Sequence, residues 1–225
     1  MARAWRVAGF GAVAAGAVLA LALSASGGAQ GGGPPPDPST LPKGDAARGE
    51  QTASTTCFGC HGQGGVSTGE RPRLAGQRES YLAFQLVVLR AGIRPAGVMN
   101  QVASRLSDQD ITDLAAYFSA QPVGPVWDGQ DATLAKQGMA LFMVGDVKRG
   151  LTACAVCHGA QGIGVNELGI ATIRHQSPAY LQSVLAEFKG TPDFGTPTAN
   201  AMHIVAATLS DDEMKAIAAY LASMP

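Results

Sequence analysis

Hydrophobic residues recur at the spacing of an amphipathic helix in two matching stretches of the chain. The apolar stripe consists of Ile111, Leu114, Ala115 and Phe118 in the first stretch, and of Met214, Ile217, Ala218 and Leu221 in the second. A serine followed by acidic residues, Ser107 or Ser210, precedes each stripe, and Ser210 with Glu213 has the spacing of a capping box. The pattern therefore predicts a capped helix after each serine.

Four more segments have helical spacing, and none shows the alternation of apolar and polar residues that is typical of a strand. The predicted helices cover residues 79–91, 178–189, 45–55 and 132–144. Prolines and glycines at 121–129 interrupt any helix there. The predicted fold class is all-α.

The chain contains one module twice. The matched segments are 77–90 with 176–189, 99–108 with 202–211, and 111–122 with 214–225. Self-similarity over this length indicates two homologous domains rather than one shared local motif. We predict tandem domains at 43–121 and 131–225, joined by a linker at 122–130.

Two copies of the pattern C-x-x-C-H, at 57–61 and 154–158, use all four cysteines of the chain. This pattern attaches c-type haem, because the two thiols form thioethers with one porphyrin and the histidine can bind its iron. We therefore predict two covalently bound haem c groups. The predicted attachment residues are Cys57, Cys60, Cys154 and Cys157, and the predicted proximal iron ligands are His61 and His158.

Two other uses of C-x-x-C pairs fit this sequence less well. A thioredoxin-like dithiol would need a βαβ context, which the chain lacks. A four-cysteine zinc site usually brings its pairs closer together than the 97 residues that separate Cys57 from Cys154. The histidine that follows each pair serves neither alternative.

A methionine at the same register of both repeats is the candidate for the sixth iron ligand. Between His61 and the linker, Met99 is the one methionine and no second histidine occurs; its repeat partner is Met202. A methionine is usually core filler. The sequence, however, places Met99 in a loop just before a capped helix, where the chain can reach across a haem. Thioether ligands at matched positions suit a low-spin iron of raised potential.

In the second repeat, two histidines are alternatives to Met202. His203 follows it directly, and His175 lies upstream. The repeat register favours the methionine, because Asn100 matches His203 and Gly76 matches His175. The competing interpretations are a surface histidine for His203 and a polar group near the haem edge for His175.

Residues 1–29 are typical of a targeting segment. Arg3 and Arg6 precede an uncharged run at 7–25, and small residues before position 30 offer a cleavage site. We favour a cleaved signal peptide, although the run is also long enough to anchor the chain in a membrane. Either way the body of the protein lies outside the cytoplasm, in the periplasm or attached to the membrane. Residues 30–42, rich in glycine and proline, predict a disordered tether.

Composition and charge narrow the class of partner. Residues 37–121 carry 8 basic and 8 acidic side chains, whereas residues 125–225 carry 6 basic and 9 acidic ones. No basic stripe occurs, so the sequence does not indicate nucleic-acid binding. Aromatic residues make up only 6% of the chain, which fits domains in which a porphyrin supplies flat apolar bulk.

Residues 43–225 resemble the di-haem class I cytochromes c of the cytochrome c4 type. The resemblance is carried by CFGCHG, by RPRLAGQ at 71–77, by the Tyr-Leu pair at 81–82, by LSDQDI, and by GLTACAVCHGAQGIG in the second repeat. It implies two helical cytochrome folds related by a pseudo-twofold axis, His/Met ligation at both irons and haem propionate edges that face each other. It also implies periplasmic electron transfer towards a terminal oxidase or reductase, with a quinol-oxidising complex or a dehydrogenase as donor.

One departure from this family concerns the residue that holds the proximal imidazole. In the family, a proline after the haem motif offers its carbonyl to that ring, and Pro72 can do so. The matching residue in the second repeat is Ala171, whose carbonyl can still accept although the loop loses the stiffness of proline. We expect the second imidazole to be held less firmly.

Several functions fit two haem modules. We favour an electron carrier without substrate chemistry, because six-coordinate irons leave no open site and about 95 residues per haem leave little room for a substrate pocket. One alternative is an enzyme, either a di-haem peroxidase or an oxidoreductase such as a thiosulfate dehydrogenase. Another is the cytochrome subunit of a dehydrogenase complex.

Overall fold

The structure, a computed structural model, describes residues 40–191 and 197–224. Its helices are α1 (Ala46–Thr56), α2 (Phe58–His61), α3 (Glu79–Arg90), α4 (Val98–Ala103), α5 (Asp108–Ala120), α6 (Ala132–Val144), α7 (Ala155–His158), α8 (Pro178–Gly190), α9 (Pro197–Ala206) and α10 (Asp211–Ser223). Within the described ranges, two isolated β-bridges are the only strand-like pairs. The predicted all-α fold class is confirmed.

The N-terminal predictions fall almost entirely outside the described residues. They are the signal peptide or anchor at 1–29 and the tether at 30–42, of which only the last three residues are described. In the part of the chain that is described, no helix combines the length and the apolar character needed to cross a membrane.

The caps that the sequence predicted are formed. The Ser107 hydroxyl accepts a hydrogen bond from the Asp110 N–H, and the Asp110 carboxylate accepts one from the Ser107 N–H. Ser210 and Glu213 make the same reciprocal pair at the start of α10. Each pair satisfies two backbone donors that a helix start would otherwise leave open. Both helices therefore begin at the residue after the serine.

In each repeat, the first and last long helices meet at a glycine. Helix α1 packs against α5, and α6 packs against α10. A Cβ added to Gly49 would lie 2.0 Å from the carbonyl oxygen of Asp113, and one added to Gly138 would lie 1.9 Å from that of Ala216. A glycine allows the backbones to approach this closely. Since 113 and 216 share one register of the repeat, the module contains this crossing twice.

Each repeat has a hydrophobic core of its own. The first comprises Ala53, Leu82, Ala83, Val87, Leu106, Ile111, Leu114, Ala115, Tyr117 and Phe118. The second comprises Phe142, Leu151, Leu181, Leu185, Leu209, Met214, Ile217, Ala218, Leu221 and Met224. Both stripes predicted for the capped helices lie in these cores. Burial of those stripes is what holds α5 and α10 in place.

The two domains contact each other through a reciprocal pair of buried glutamines. Gln176 Oε1 accepts from the Arg73 N–H at 2.7 Å, and Gln176 Nε2 donates to the Arg73 carbonyl at 3.0 Å. Gln77 forms the same two bonds with Thr172, at 2.6 Å and 2.9 Å. Residue 77 matches 176 and residue 73 matches 172 in the repeat. Each domain thus contributes one glutamine side chain and one backbone segment to the contact, as a twofold relation requires.

Two candidate haem sites

The first proximal histidine ends the short helix that the haem motif itself forms. His61 is the last residue of α2, and it is buried. Its Nδ1 lies 2.9 Å from the carbonyl oxygen of Pro72. Because a carbonyl can only accept, Nδ1 carries the proton and Nε2 keeps a lone pair for a metal. Burial lowers the pKa of His61 more than the Pro72 bond raises it, and Arg71 lowers it further, which favours the neutral ring.

The second proximal histidine repeats this arrangement. His158 ends α7, is buried, and places Nδ1 2.9 Å from the carbonyl oxygen of Ala171. Burial lowers its pKa, and the bond to Ala171 opposes that effect. The two histidine–carbonyl distances are equal, so the alanine carbonyl occupies the acceptor position in the second site as the proline carbonyl does in the first.

The cysteines are arranged for thioethers and not for a shared metal ion. Cys57 and Cys154 pack against the first and second cores, whereas Cys60 and Cys157 are exposed. Burial raises the pKa of both Cys57 and Cys154 to about 11, which keeps these thiols protonated when nothing is bound to them. Among the described residues, no three histidine, cysteine or acidic side chains group together in a way that could hold a metal ion. The residues present fit a haem at each motif.

Both candidate methionines lie on helices, and the prediction of a loop at Met99 is wrong. Met99 belongs to α4, whose six residues begin after Gly97 and carry too little periodic signal to be recognised. Met99 and Met202 are both half-buried. Met202 lies on α9 and packs against the second core, as Cys154 does. The structure therefore brings Met202 and the start of the second haem motif to one cluster.

The side chain after each methionine links its helix to the preceding one. Asn100 Nδ2 donates to the Leu89 carbonyl at 2.7 Å. His203 Nδ1 lies 2.8 Å from the Phe188 carbonyl oxygen. Leu89 and Phe188 share one register of the repeat, so the histidine does the structural work of the asparagine. It is half-buried rather than on the surface, which corrects one of the interpretations above.

Comparison with known proteins places this geometry in a family. The family model of cytochrome c oxidase, cbb3-type, subunit III matches residues 44–118, and that of cytochrome c matches residues 135–225. The chain is 35% identical to cytochrome c4 of Pseudomonas aeruginosa over 179 residues, which are 79% of this chain and 88% of that protein. The chain belongs to the cytochrome c4 family.

A solved structure and a second relative support this assignment. The crystal structure of reduced cytochrome c4 from Pseudomonas stutzeri is similar with a TM-score of 0.74 and 36% identity, covering 80% of this chain and 98% of that one. The thiosulfate dehydrogenase electron acceptor of Thiomonas intermedia is 36% identical, covering 76% of this chain and 80% of that protein. As a cytochrome c4, the protein carries two covalently bound haem c groups and transfers electrons.

In this member of the cytochrome c4 family, His175 adopts the backbone conformation of its glycine counterpart. Its φ is 54°, against 68° for Gly76, and it is the one residue other than glycine with a positive φ in the described segments. Its Nδ1 and Nε2 each lie 2.8 Å from a carbonyl oxygen, those of Gly124 and Met224. Both ring nitrogens are therefore engaged. The ring joins the linker to the end of α10.

The role of the buried arginine at the domain contact was not predicted from the sequence. Arg73 Nε donates to the Ser67 carbonyl at 2.9 Å and Nη1 donates to the His175 carbonyl at 2.9 Å. Its guanidinium lies 4.2 Å from the centre of the Trp127 ring. Burial lowers the pKa of Arg73, and no carboxylate of the described residues pairs with it. The linker is thus packed into the interface and not free.

Proposed function

We propose that this member of the cytochrome c4 family is a periplasmic respiratory carrier that accepts electrons from a quinol-oxidising complex or a dehydrogenase and passes them to a terminal oxidase or reductase. The carriers are the domains at 43–121 and 131–225. Each bound haem supplies one iron that cycles between ferric and ferrous states. The observation that supports this most is the duplicated proximal site, in which each buried imidazole is held by a backbone carbonyl at 2.9 Å.

The protein's own contribution would be to hold each haem covalently and to supply two ligands to its iron. We assign attachment to Cys57, Cys60, Cys154 and Cys157, and iron ligation to His61 with Met99 and to His158 with Met202. The contacts of His175 support the methionine in the second domain, because both of its ring nitrogens lie against carbonyl oxygens. The repeat register supports Met202 over His203, because Asn100 matches His203. A six-coordinate iron has no open position for oxygen or peroxide, which favours a carrier over a peroxidase.

Ligand replacement tests this assignment directly. Met99→Ala should open the first iron and give a high-spin component with new carbon monoxide binding, and Met202→Ala should do the same in the second domain. His203→Ala and His175→Ala are the matched controls, and both should leave the visible spectrum low-spin. Loss of low-spin character in His203→Ala, with Met202→Ala silent, would show that the second site is not His/Met.

A second candidate function is electron acceptor of a thiosulfate-oxidising enzyme. It is supported by the similarity to the thiosulfate dehydrogenase electron acceptor of Thiomonas intermedia. The two proposals differ in the donor. Stopped-flow reduction of the oxidised protein by a thiosulfate dehydrogenase with thiosulfate, compared with reduction by a quinol-oxidising complex, separates them. The donor that reduces both haems within its own turnover time is the physiological class.

Localisation follows from the N-terminal segment, and we propose export to the periplasm with cleavage near position 30. The alternative is a retained anchor that attaches the domains to a membrane through residues 7–25. N-terminal sequencing and detergent partitioning of the native protein distinguish the two. A mature chain that begins at or near Gln30 in the soluble fraction supports cleavage.

A further inference from the structure

Each proximal imidazole bonds to a peptide group whose other end is held by the opposite domain. In the first domain, the peptide that joins Pro72 to Arg73 presents its carbonyl to His61 Nδ1 at 2.9 Å. The N–H of the same peptide donates to Gln176 Oε1 of the second domain at 2.7 Å. One rigid, conjugated group thus connects the ring of one domain to a side chain of the other.

The second domain repeats this connection in the opposite direction. The peptide that joins Ala171 to Thr172 presents its carbonyl to His158 Nδ1 at 2.9 Å. Its N–H donates to Gln77 Oε1 of the first domain at 2.6 Å. The two short connections are therefore crossed.

The glutamine amides are fixed in this orientation. Gln77 is 7% exposed and Gln176 is 6% exposed. Gln77 Nε2 donates to the Thr172 carbonyl, and Gln176 Nε2 donates to the Arg73 carbonyl. In each case the N–H of the same residue donates to the glutamine Oε1. Each Oε1 also accepts from the backbone N–H of the following residue, Arg78 or Ser177, at 2.9 Å. A flipped amide would set like atoms against each other at all of these contacts, so burial and bonding hold a single state.

A peptide that donates through its N–H becomes a stronger acceptor at its carbonyl, because hydrogen bonds in a chain polarise one another. A stronger acceptor draws the Nδ1 proton and increases the electron density of the imidazole, which stabilises the ferric state of a bound iron. We infer that Gln176 and Gln77 are crossed positioning residues, each of which lowers the reduction potential of the haem in the opposite domain. This inference rests on the proposed roles of His61 and His158 as axial ligands.

Because each glutamine contacts the peptide of the opposite domain, its effect on the haem there can be distinguished from a local structural effect in its own domain. Gln176 follows Thr172 by four residues, so a general disturbance at Gln176 would first reach the second haem, in its own domain. An effect through the peptide of Arg73 would reach the first haem instead. The same holds for Gln77 with the two haems exchanged.

The test is a redox titration of the holoprotein that is monitored by nuclear magnetic resonance. The ε-methyl signals of iron-bound Met99 and Met202 in the reduced protein report each haem separately. Gln176→Met removes the acceptor at similar volume and should shift the ferric-to-ferrous equilibrium of the first haem towards ferrous by roughly two- to fivefold, with the second haem unchanged. Gln77→Met should do the converse. Gln121→Met, at a glutamine whose side-chain amide donates to the Tyr117 carbonyl of its own domain, should shift neither.

A glutamate variant provides the opposite sign. Gln176→Glu keeps an oxygen acceptor facing the Arg73 N–H, although its second oxygen meets the Arg73 carbonyl; at a pH where the carboxylate is ionised, the first haem should therefore shift towards ferric and by more than the second. If Gln176→Met and Gln77→Met both lose haem, the sign of the shift in Gln176→Glu still tests the inference. A shift of the haem in the same domain, an equal shift of both, or no shift at all would overturn the inference. Absence of the two methionine signals from the unmodified protein would instead overturn the proposed ligands.

Discussion

The two domains have the same framework but differ in the residues that surround it. A glycine crossing, a capping box and a histidine held by a carbonyl occur in both. The residue after that carbonyl is Arg73 in the first domain and Thr172 in the second, and Gly76 is matched by His175. The contacts that recur in both domains form the helical framework around each haem motif. Differences at matched positions are where the two haems can acquire different properties.

The two domains also differ in the backbone before the cysteine motif. Helix α1 ends directly at Cys57, which caps it. In the second domain, residues 145–153 lie between α6 and Cys154. Arg149 in this segment bonds to Asp146 at 2.8 Å and to Glu213 of α10 at 2.6 Å. The second domain thus uses an extra folded turn where the first runs straight into its motif.

The most drastic change removes one domain's haem and leaves the other. Replacing Cys57 and Cys60 with alanine should reduce the haem content from two per chain to one, because each module attaches its own porphyrin. A pyridine haemochrome assay on the purified variant gives the ratio. The matched control replaces Cys154 and Cys157. If either double variant loses both haems, the domains do not mature independently.

The glycine crossing should be equally sensitive in both domains. Gly49→Ala and Gly138→Ala force a Cβ against a helix carbonyl, and each should lower the free energy of unfolding of its domain by roughly 1–3 kcal/mol or more. Gly69→Ala is the control, since nothing lies within 4 Å of its added Cβ. Thermal unfolding monitored by the haem absorbance measures the effect. A large difference between the two crossing variants would show that the shared framework is not energetically equivalent.

Acid should destabilise the first domain more than the second, because only the first has a buried carboxylate at the described helix crossing. The Asp113 carboxylate accepts hydrogen bonds from Arg48 Nε at 2.7 Å, Gln109 Nε2 at 2.8 Å and Asp45 N at 2.6 Å. Burial alone would raise the pKa of Asp113, but these bonds together lower it. Its repeat partner is Ala216, which cannot titrate.

A lowered folded-state pKa means that Asp113 stabilises the fold above the ordinary aspartate pKa of about 4 and loses that contribution as the pH falls further. Asp113→Asn should therefore destabilise the first domain at pH 7 and flatten its acid sensitivity below about pH 4. Melting temperatures of the parent and variant at several pH values test this. An unchanged slope in the variant would assign the acid sensitivity to other carboxylates.

The smallest expected effect is a difference between the two reduction potentials. The charge of Arg71 acts on His61, whereas its repeat partner is Ile170, and no basic side chain in the described ranges acts on His158 in the same way. A nearby cation disfavours the ferric state, and the acidic second half favours it, so the second haem should have the lower potential. Arg71→Gln should narrow the gap modestly, and added salt should do the same because Arg71 is exposed. A reversed order would contradict this account.

The sequence determined most of the framework because its signals are local. The helix predicted at 132–144 has those bounds in the structure, and the stripe from Ile111 lies in the core. Helix α4 was missed because its periodic signal is too short. The contact of Gln176 with Arg73 spans 103 residues, and no local sequence pattern predicts it. The one available hint was a glutamine at the same register of both repeats.

The backbone role of His175 was equally hidden. Its match to Gly76 indicated a position that favours glycine, but the sequence alone did not show that a histidine would take the left-handed conformation there. Its two ring contacts involve the linker and the end of α10, which become neighbours only in the folded chain. Contacts between distant segments were therefore the part that required a structure.

The most direct test of the central claim is a potentiometric titration of the intact oxidised protein, recorded in the visible region with and without carbon monoxide. Two haems with both axial positions filled should accept two electrons per chain in two one-electron steps, remain low-spin throughout and bind no carbon monoxide. Carbon monoxide binding at either haem of the unmodified protein, or uptake of a single electron, would contradict a two-centre electron carrier.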